Sequence, residues 1–251
     1  MTYSHAGLVW TLIRTDFKAR YHGTIEGFVW ALLKPLTMFL VLMAVFSFLF
    51  PDPTYKLNLI IGLFLWDFFA EGTTTGLTSL QVKGFLLTKA RCPSWILVVT
   101  SISNALITLT VFVGIISMFL IFTGRPPTLA AAALFLSYCV ALVAVVVGFS
   151  LGSSVLFLRY RDLNQVWDVV AQAGFFLAPI VFPLSIIPER FHFYFYLWPP
   201  TPIIQFSRAV LVDRTVPTGT AHAYLAMDAA IILLTGIVVF RALAPRAAEY
   251  V

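Results

Sequence analysis

The sequence predicts an all-α integral membrane protein, and three observations carry that prediction. Of 251 residues, 60% are hydrophobic and only 11% charged, where a soluble domain carries about a quarter charged residues; mean hydropathy is +0.94. Six apolar runs reach the length of about 20 residues that a helix needs to cross a bilayer. Lysine and arginine collect on alternate connections between those runs, the asymmetry of a multi-pass chain.

In chain order, residues 1–25 come first. Ala6, Val9 or Trp10, Ile13, Phe17 and Tyr21 recur at helical spacing, but Arg14, Asp16, Lys18 and Arg20 make the segment too charged to span. An amphipathic helix lying flat at the interface is expected, its stripe at the acyl boundary and its cations at phosphates. A short apolar core followed by a small-residue cleavage site does not occur here, so no cleaved leader is expected.

Six spans follow, at roughly 28–50, 58–78, 95–122, 129–157, 166–187 and 223–244, making a bundle over 28–244 within a single domain of 1–251. They are separated by Pro51-Asp52-Pro53, by Lys83 to Pro93, by Gly124-Arg125-Pro126-Pro127, by Arg159-Tyr160-Arg161-Asp162 and by a long segment over 188–222. With the N-terminus inside, the inner connections hold eleven Lys and Arg and the outer ones five: Lys56, Arg125, Arg190, Arg208 and Arg214. An even number of spans then puts both termini in the cytoplasm. The net charge of +5 reads as topology and contact with anionic lipid, not as a nucleic-acid surface. Cys92 in a basic loop and Cys139 in an apolar run support neither a disulfide framework nor a thiolate metal site.

The 188–222 segment is unlike a plain connector. Phe191, Tyr194, Tyr196 and Trp198 precede Pro199 and Pro200, and a second apolar stretch runs from Ile203 to Val212. Two short re-entrant helices dipping into the outer leaflet, broken at the prolines, would bury the aromatics without spanning. An aromatic belt is the simpler alternative.

Several of these stretches together carry a resemblance. Arg20-Tyr21 with Thr24, Gly27, Trp30 and Pro35; Leu65-Trp66-Asp67-Phe68-Phe69-Ala70-Glu71; Phe85 to Lys89 with Pro93; Tyr160-Arg161-Asp162-Leu163; and Ala178-Pro179-Ile180-Val181-Phe182 stand in the order found in ABC-2 type permeases that export polysaccharides. The chain resembles that family along most of its length, departing at Gly84-Phe85-Leu86-Leu87-Thr88-Lys89, where relatives more often have Asn and a Lys pair. The resemblance implies a bacterial inner-membrane permease, non-hydrolytic itself, acting as a homodimer with two copies of an ABC ATPase on a lipid-linked polysaccharide. ATP and Mg would sit on that partner, and the absence of Gly-Lys-Ser or Gly-Lys-Thr agrees. It also implies a cytoplasmic coupling helix between spans two and three. There Phe85, Leu86 and Leu87 offer an apolar anchor and Lys83, Lys89 and Arg91 charge complementarity; an ordinary basic loop would not need three consecutive exposed apolar residues. The family makes the 188–222 region an outer gate.

Other residues are open to more than one reading. Arg20, Tyr21 and Lys34 are candidates for a lipid pyrophosphate at the inner interface, and Trp30, Phe175 and Phe176 for stacking glycan in a channel. Asp67 and Glu71, one helical turn apart, are expected near the outer half of span two, and Asp228 within span six; a polar lumen or subunit contact accounts for them more simply than a proton relay, since no His or Lys stands on another span at matching depth. The Gly72/Gly76 and Gly148/Gly152 pairs permit close helix approach, between subunits or within one. An ABC-2 drug or lipid exporter is the nearest alternative function. A proton-coupled secondary transporter and a polyprenyl-phosphate transferase are more distant, the latter lacking an acidic metal cluster beyond Asp162 and Asp168.

Overall fold

The computed structural model describes residues 5–21, 27–89 and 92–245, the side chains of 5, 6 and 87–89 excepted. Eleven α-helices and no strand occur among the described residues: α1 His5–Tyr21, α2 Gly27–Phe46, α3 Tyr55–Val82, α4 Gly84–Lys89, α5 Ser94–Ser101, α6 Ser103–Phe122, α7 Leu129–Arg159, α8 Leu163–Leu177, α9 Glu189–Tyr196, α10 Pro200–Arg208 and α11 Gly219–Leu243. Among the described residues, four stretches are long and apolar enough to cross a membrane: Gly27–Phe46, Ser94–Phe122, Leu129–Arg159 and Gly219–Leu243. The chain is a membrane protein with several apolar helices.

The second expected span is α3, which is longer than predicted and more deeply placed than any other helix. It packs against α2, α5, α6, α7, α8 and α10, so its side chains face protein nearly all round. Its hydropathy is lowered by Asp67, Glu71 and a run of threonines that need no outside partner. Thr73, Thr75 and Thr78 donate back to the carbonyls of Phe69 at 2.7 Å, Glu71 at 2.8 Å and Thr74 at 3.1 Å, the usual way a hydroxyl is satisfied inside a helix.

The third expected span is interrupted at Ile102, between α5 and α6. Around the break, the hydroxyls of Thr100, Ser101 and Ser103 all turn back onto carbonyls of the preceding turn, which loosens a helix locally.

The fifth expected span is corrected. Residues 166–187 read as one apolar run, but α8 ends at Leu177 and the stretch from Ala178 to Val181 is buried without being helical. The residue before a proline is disfavoured in the helical region and Pro179 cannot donate, so the helix stops there.

Both glycine pairs serve packing within the chain. A Cβ at Gly72 would lie 2.7 Å from Val146 and one at Gly148 2.6 Å from Leu233 Cα. They let α3 approach α7 and α7 approach α11 at backbone distance.

Candidate functional site

At the α4 end of the bundle, α1 lies against α5 and α6. Leu8, Val9, Leu12, Ile13, Phe17 and Tyr21 are half-buried while Trp10 is 68% exposed. The expected stripe is thus partly taken up by protein instead of lipid, with Leu8, Leu12 and Asp16 joining it. Two ion pairs of opposite polarity strap α1 down. Asp16 accepts from Lys83 Nζ at 2.5 Å, and Arg20, one turn on, pairs with Glu71 of α3.

This rearranges two expected sites. Lys83, expected to meet an ATPase, is largely buried and also donates to Thr100 Oγ1 at 3.0 Å, so its charge is spent within the chain. The short helix expected between spans two and three is present as α4. However, its apolar triplet is not uniformly exposed: Phe85 is 66% exposed, whereas Leu86 turns inward onto the cluster of Leu80, Leu97 and Leu158. Arg91 and the side chains of Leu87 and Lys89 lie outside the described residues.

The same strap closes one side of a cleft of about 310 Å³ lined by Arg20, Ala31, Lys34, Asp67, Glu71 and Thr74. Pro35 has no N–H to offer the carbonyl of Ala31, one turn back on α2, which leaves a backbone acceptor at the cleft wall. Two expectations are corrected here. Glu71 lies past the middle of α3 toward Val82 and meets Arg20, so of the acidic pair only Asp67 falls in the Tyr55 half. Lys34 on α2 and Arg20 on α1 do stand at matching depth with Asp67 and Glu71. Of the residues expected to meet pyrophosphate, Lys34 and Arg20 line this cleft together. Tyr21 lies beside it in an aromatic trio with Phe17 and Phe28; burial pushes its phenol above the ordinary range.

The aromatics expected in a channel divide. Trp30 and Phe176 are exposed, at 59% and 65%. Phe175 instead packs edge-on against Trp66, ring centres 5.9 Å apart, beside a core aromatic cluster. In that cluster Trp167 donates to Thr73 Oγ1 at 3.1 Å and stacks on Phe149 at 4.0 Å.

At the opposite end, the expected pair of short helices is found, but the two differ. On α9 Phe191 and Tyr194 are exposed, while α10 is inserted in the core and packs against α3 and α7. Of the gate candidates, Trp198 is a wedge, its ring centre 5.8 Å from Phe69 and its edge against Gly174, where only a glycine leaves room. Tyr196 is partly covered beside Phe206. Pro199 and the buried Pro200 start α10, whose first turn needs no N–H from them.

Arg208, at the end of α10, is the residue that reading by segments misses. It counts as an outer loop cation in the charge tally, yet only 6% of it is exposed. Its Nε donates to the carbonyl of Asn58 at 2.9 Å, Nη1 to Pro179 at 2.7 Å and Nη2 to Ile180 at 2.9 Å. Tyr55 Oη donates to the next carbonyl, Val181, at 2.9 Å. The non-helical stretch after α8 thus has its carbonyls satisfied from α10 and α3, as buried backbone requires. Gly62 makes room: a Cβ there would sit 3.4 Å from the guanidinium carbon and 3.2 Å from Ile180. The signal available was one charge inside the apolar run Ile203 to Val212.

The architecture, then, is an N-terminal strap, a buried polar central helix and a short inserted helix that clamps a broken one. Comparisons with known proteins agree on where it belongs. The family model for ABC-2 type transporters matches residues 7–212. An O-antigen export system permease, RfbA, of Klebsiella pneumoniae is 24% identical, covering 96% of this chain and 94% of that protein. Its namesake in Myxococcus xanthus is 26% identical over 75% of this chain and 73% of that protein. The polysialic acid transport protein KpsM of Escherichia coli is 20% identical over 92% and 91%. With most of its length matched, from the strap through the inserted helix, this chain belongs to the ABC-2 type transporter family.

Proposed function

We propose that the chain is the permease subunit of an ATP-driven exporter that moves a lipid-linked polysaccharide from the cytoplasmic to the external side of a bacterial inner membrane. The observation that carries this reading is likeness, along nearly the whole chain, to permeases named for O-antigen export and polysialic acid transport. Six crossings are proposed: the four long apolar stretches, the central α3, and α8 with the clamped stretch that follows it, both termini being cytoplasmic. The α4 end is then the cytoplasmic end. Two copies of the chain form the channel, Trp30 and Phe176 being exposed on helices available to line it. Two copies of a separate ATPase bind ATP and Mg and dock at α4, with Phe85 as the anchor. The cleft holding Arg20 and Lys34 receives the pyrophosphate of the carrier lipid, and α9 with Phe191, Tyr194 and Tyr196 covers the external exit.

The test is genetic and chemical. Loss of the gene should abolish surface polysaccharide while lipid-linked glycan accumulates on the cytoplasmic side. Complementation should require both this chain and its ATPase. Phe85→Asp, at a position 66% exposed, should insert normally, lose co-purification with the ATPase and lower export at least tenfold, a cost of about 1.4 kcal/mol. Surface polysaccharide unchanged by gene loss would overturn the reading.

A further inference from the structure

Arg208 also forms the floor of a pocket of about 240 Å³ at the α10 end, lined by Phe50, Asp52, Tyr55, Asn58, Gln205 and Asp213, with the exposed Ser185 at its mouth. Two lining amides carry buried atoms with no partner: Oδ1 of Asn58, an acceptor, and Nε2 of Gln205, a donor. Buried polar atoms are nearly always bonded, and both residues line the pocket, so a rotation of either amide toward it would offer an acceptor and a donor to a ligand there. One wall is aromatic, Phe50 and Tyr55 standing with ring centres 5.6 Å apart. The charges are mixed, with carboxylates in the majority. The Arg208 guanidinium gives its donors to three carbonyls but keeps its charge, and the two carboxylates of Asp52 and Asp213 outnumber it in the lining. Burial, and then the neighbouring Asp52, hold the Asp213 carboxyl above the usual carboxylate range.

We propose that this pocket binds one non-acidic sugar unit of a glycan. Sugar hydroxyls both donate and accept, matching Asn58 and Gln205. An apolar ring face stacks on Phe50 or Tyr55, and the carboxylates accept from hydroxyls or an amino group while repelling uronic and sialic acids. The volume far exceeds the roughly 30 Å³ of a water and falls short of the roughly 300–1,000 Å³ of larger ligand sites, which suits one ring. The proposal rests on the polysaccharide-export reading and narrows its substrate at one position.

The full chain in lipid nanodiscs can be tested by saturation-transfer NMR with methyl glycosides of glucose, galactose, mannose, N-acetylglucosamine and glucosamine, set against methyl glucuronide and N-acetylneuraminic acid. At least one non-acidic glycoside should bind at millimolar concentration. Ser185→Trp, which blocks the mouth from an exposed position, and Gln205→Leu should each weaken it about tenfold or more. The acidic sugars should be silent on the wild-type chain and gain signal in Asp213→Asn. Silence from every non-acidic glycoside, binding unaltered by both Ser185→Trp and Gln205→Leu, or equal binding of the acidic sugars overturns the proposal. Export is scored separately. If it is abolished by gene loss while the panel is silent, the pocket proposal fails alone; if surface polysaccharide survives gene loss, the export reading fails whatever the NMR shows.

Discussion

The two ends of the bundle solve the same problem, holding a polar element against an apolar core, by different chemistry. At the α4 end, α1 is held by charge on charge: Asp16 with Lys83 and Arg20 with Glu71. At the α10 end, a single cation is held by neutral carbonyls, Arg208 on Asn58, Pro179 and Ile180. Only one of these two holds can exchange its partners. The Arg20 and Glu71 side chains are 37% and 18% exposed, so another anion or cation can replace either. The carbonyls of Pro179 and Ile180 lie outside any helix, so Arg208 takes the place of the helical donor they lack. The first arrangement suits a latch, the second a fixed joint.

Breaking the joint should have the largest effect. Arg208→Gln removes a donor set that no shorter side chain reproduces and strands the carbonyls of Pro179 and Ile180 in the stretch after α8. At about 1–3 kcal/mol for each buried group left unpaired, stability should fall by about 3 kcal/mol or more. The measurement is thermal unfolding of the purified chain in detergent. An unchanged midpoint would mean that the carbonyls find other donors and that the α10 end is as adaptable as the other.

How much of this contrast was legible in the sequence follows from its range along the chain. Length and hydropathy identify helices in the right order because a helix is local, and the capping threonines Thr128 and Thr218 mark where α7 and α11 begin. The end of α8 was missed although Pro179 was visible, because Ala178, Ile180, Val181 and Phe182 are as apolar as a span. What makes a break affordable there is Arg208, 29 residues later. The strap was invisible for the same reason: Asp16 and Lys83 are 67 residues apart, and each alone reads as an interfacial charge. Residue types at the candidate sites were therefore readable, while their pairings, which decide whether a cation is free or spent, were not.

An intermediate effect is expected from Lys83→Met. The substitution keeps length and apolar stem but removes three donations, to Asp16, Thr100 and Leu97. Asp16, partly exposed, can turn toward water, so the loss should be about 1–2 kcal/mol, below that of Arg208→Gln. Because Lys83 directly precedes α4, proteolysis at residues 5–21 should quicken as α1 lifts. A loss equal to that of Arg208→Gln would erase the contrast between the ends.

The smallest stability effect, and the sharpest functional one, is expected at Arg20 and Glu71. A partly exposed ion pair is worth about 0–1 kcal/mol, so neutralising it in Arg20→Gln should leave the unfolding midpoint almost where it was, while Arg20→Glu and Glu71→Arg each add a like-charge contact to that loss. Their effect on export separates two roles for Arg20. If the pair is a latch whose only job is to hold α1 on α3, each single change should impair export and the double exchange Arg20→Glu with Glu71→Arg should restore it, since the attraction is the same with its ends reversed. If Arg20 must instead leave Glu71 to meet an anionic headgroup beside Lys34, the double exchange puts a carboxylate where the phosphate would go and export should stay low. The salt dependence of the wild-type pair gives an independent reading, because screening at high ionic strength weakens exposed pairs but hardly touches a buried carbonyl clamp. Proteolysis of α1 should rise with salt while the unfolding midpoint does not. A midpoint that falls with salt as steeply as α1 protection would place the stability of the whole bundle on the strap, and the division into latch and joint would fail.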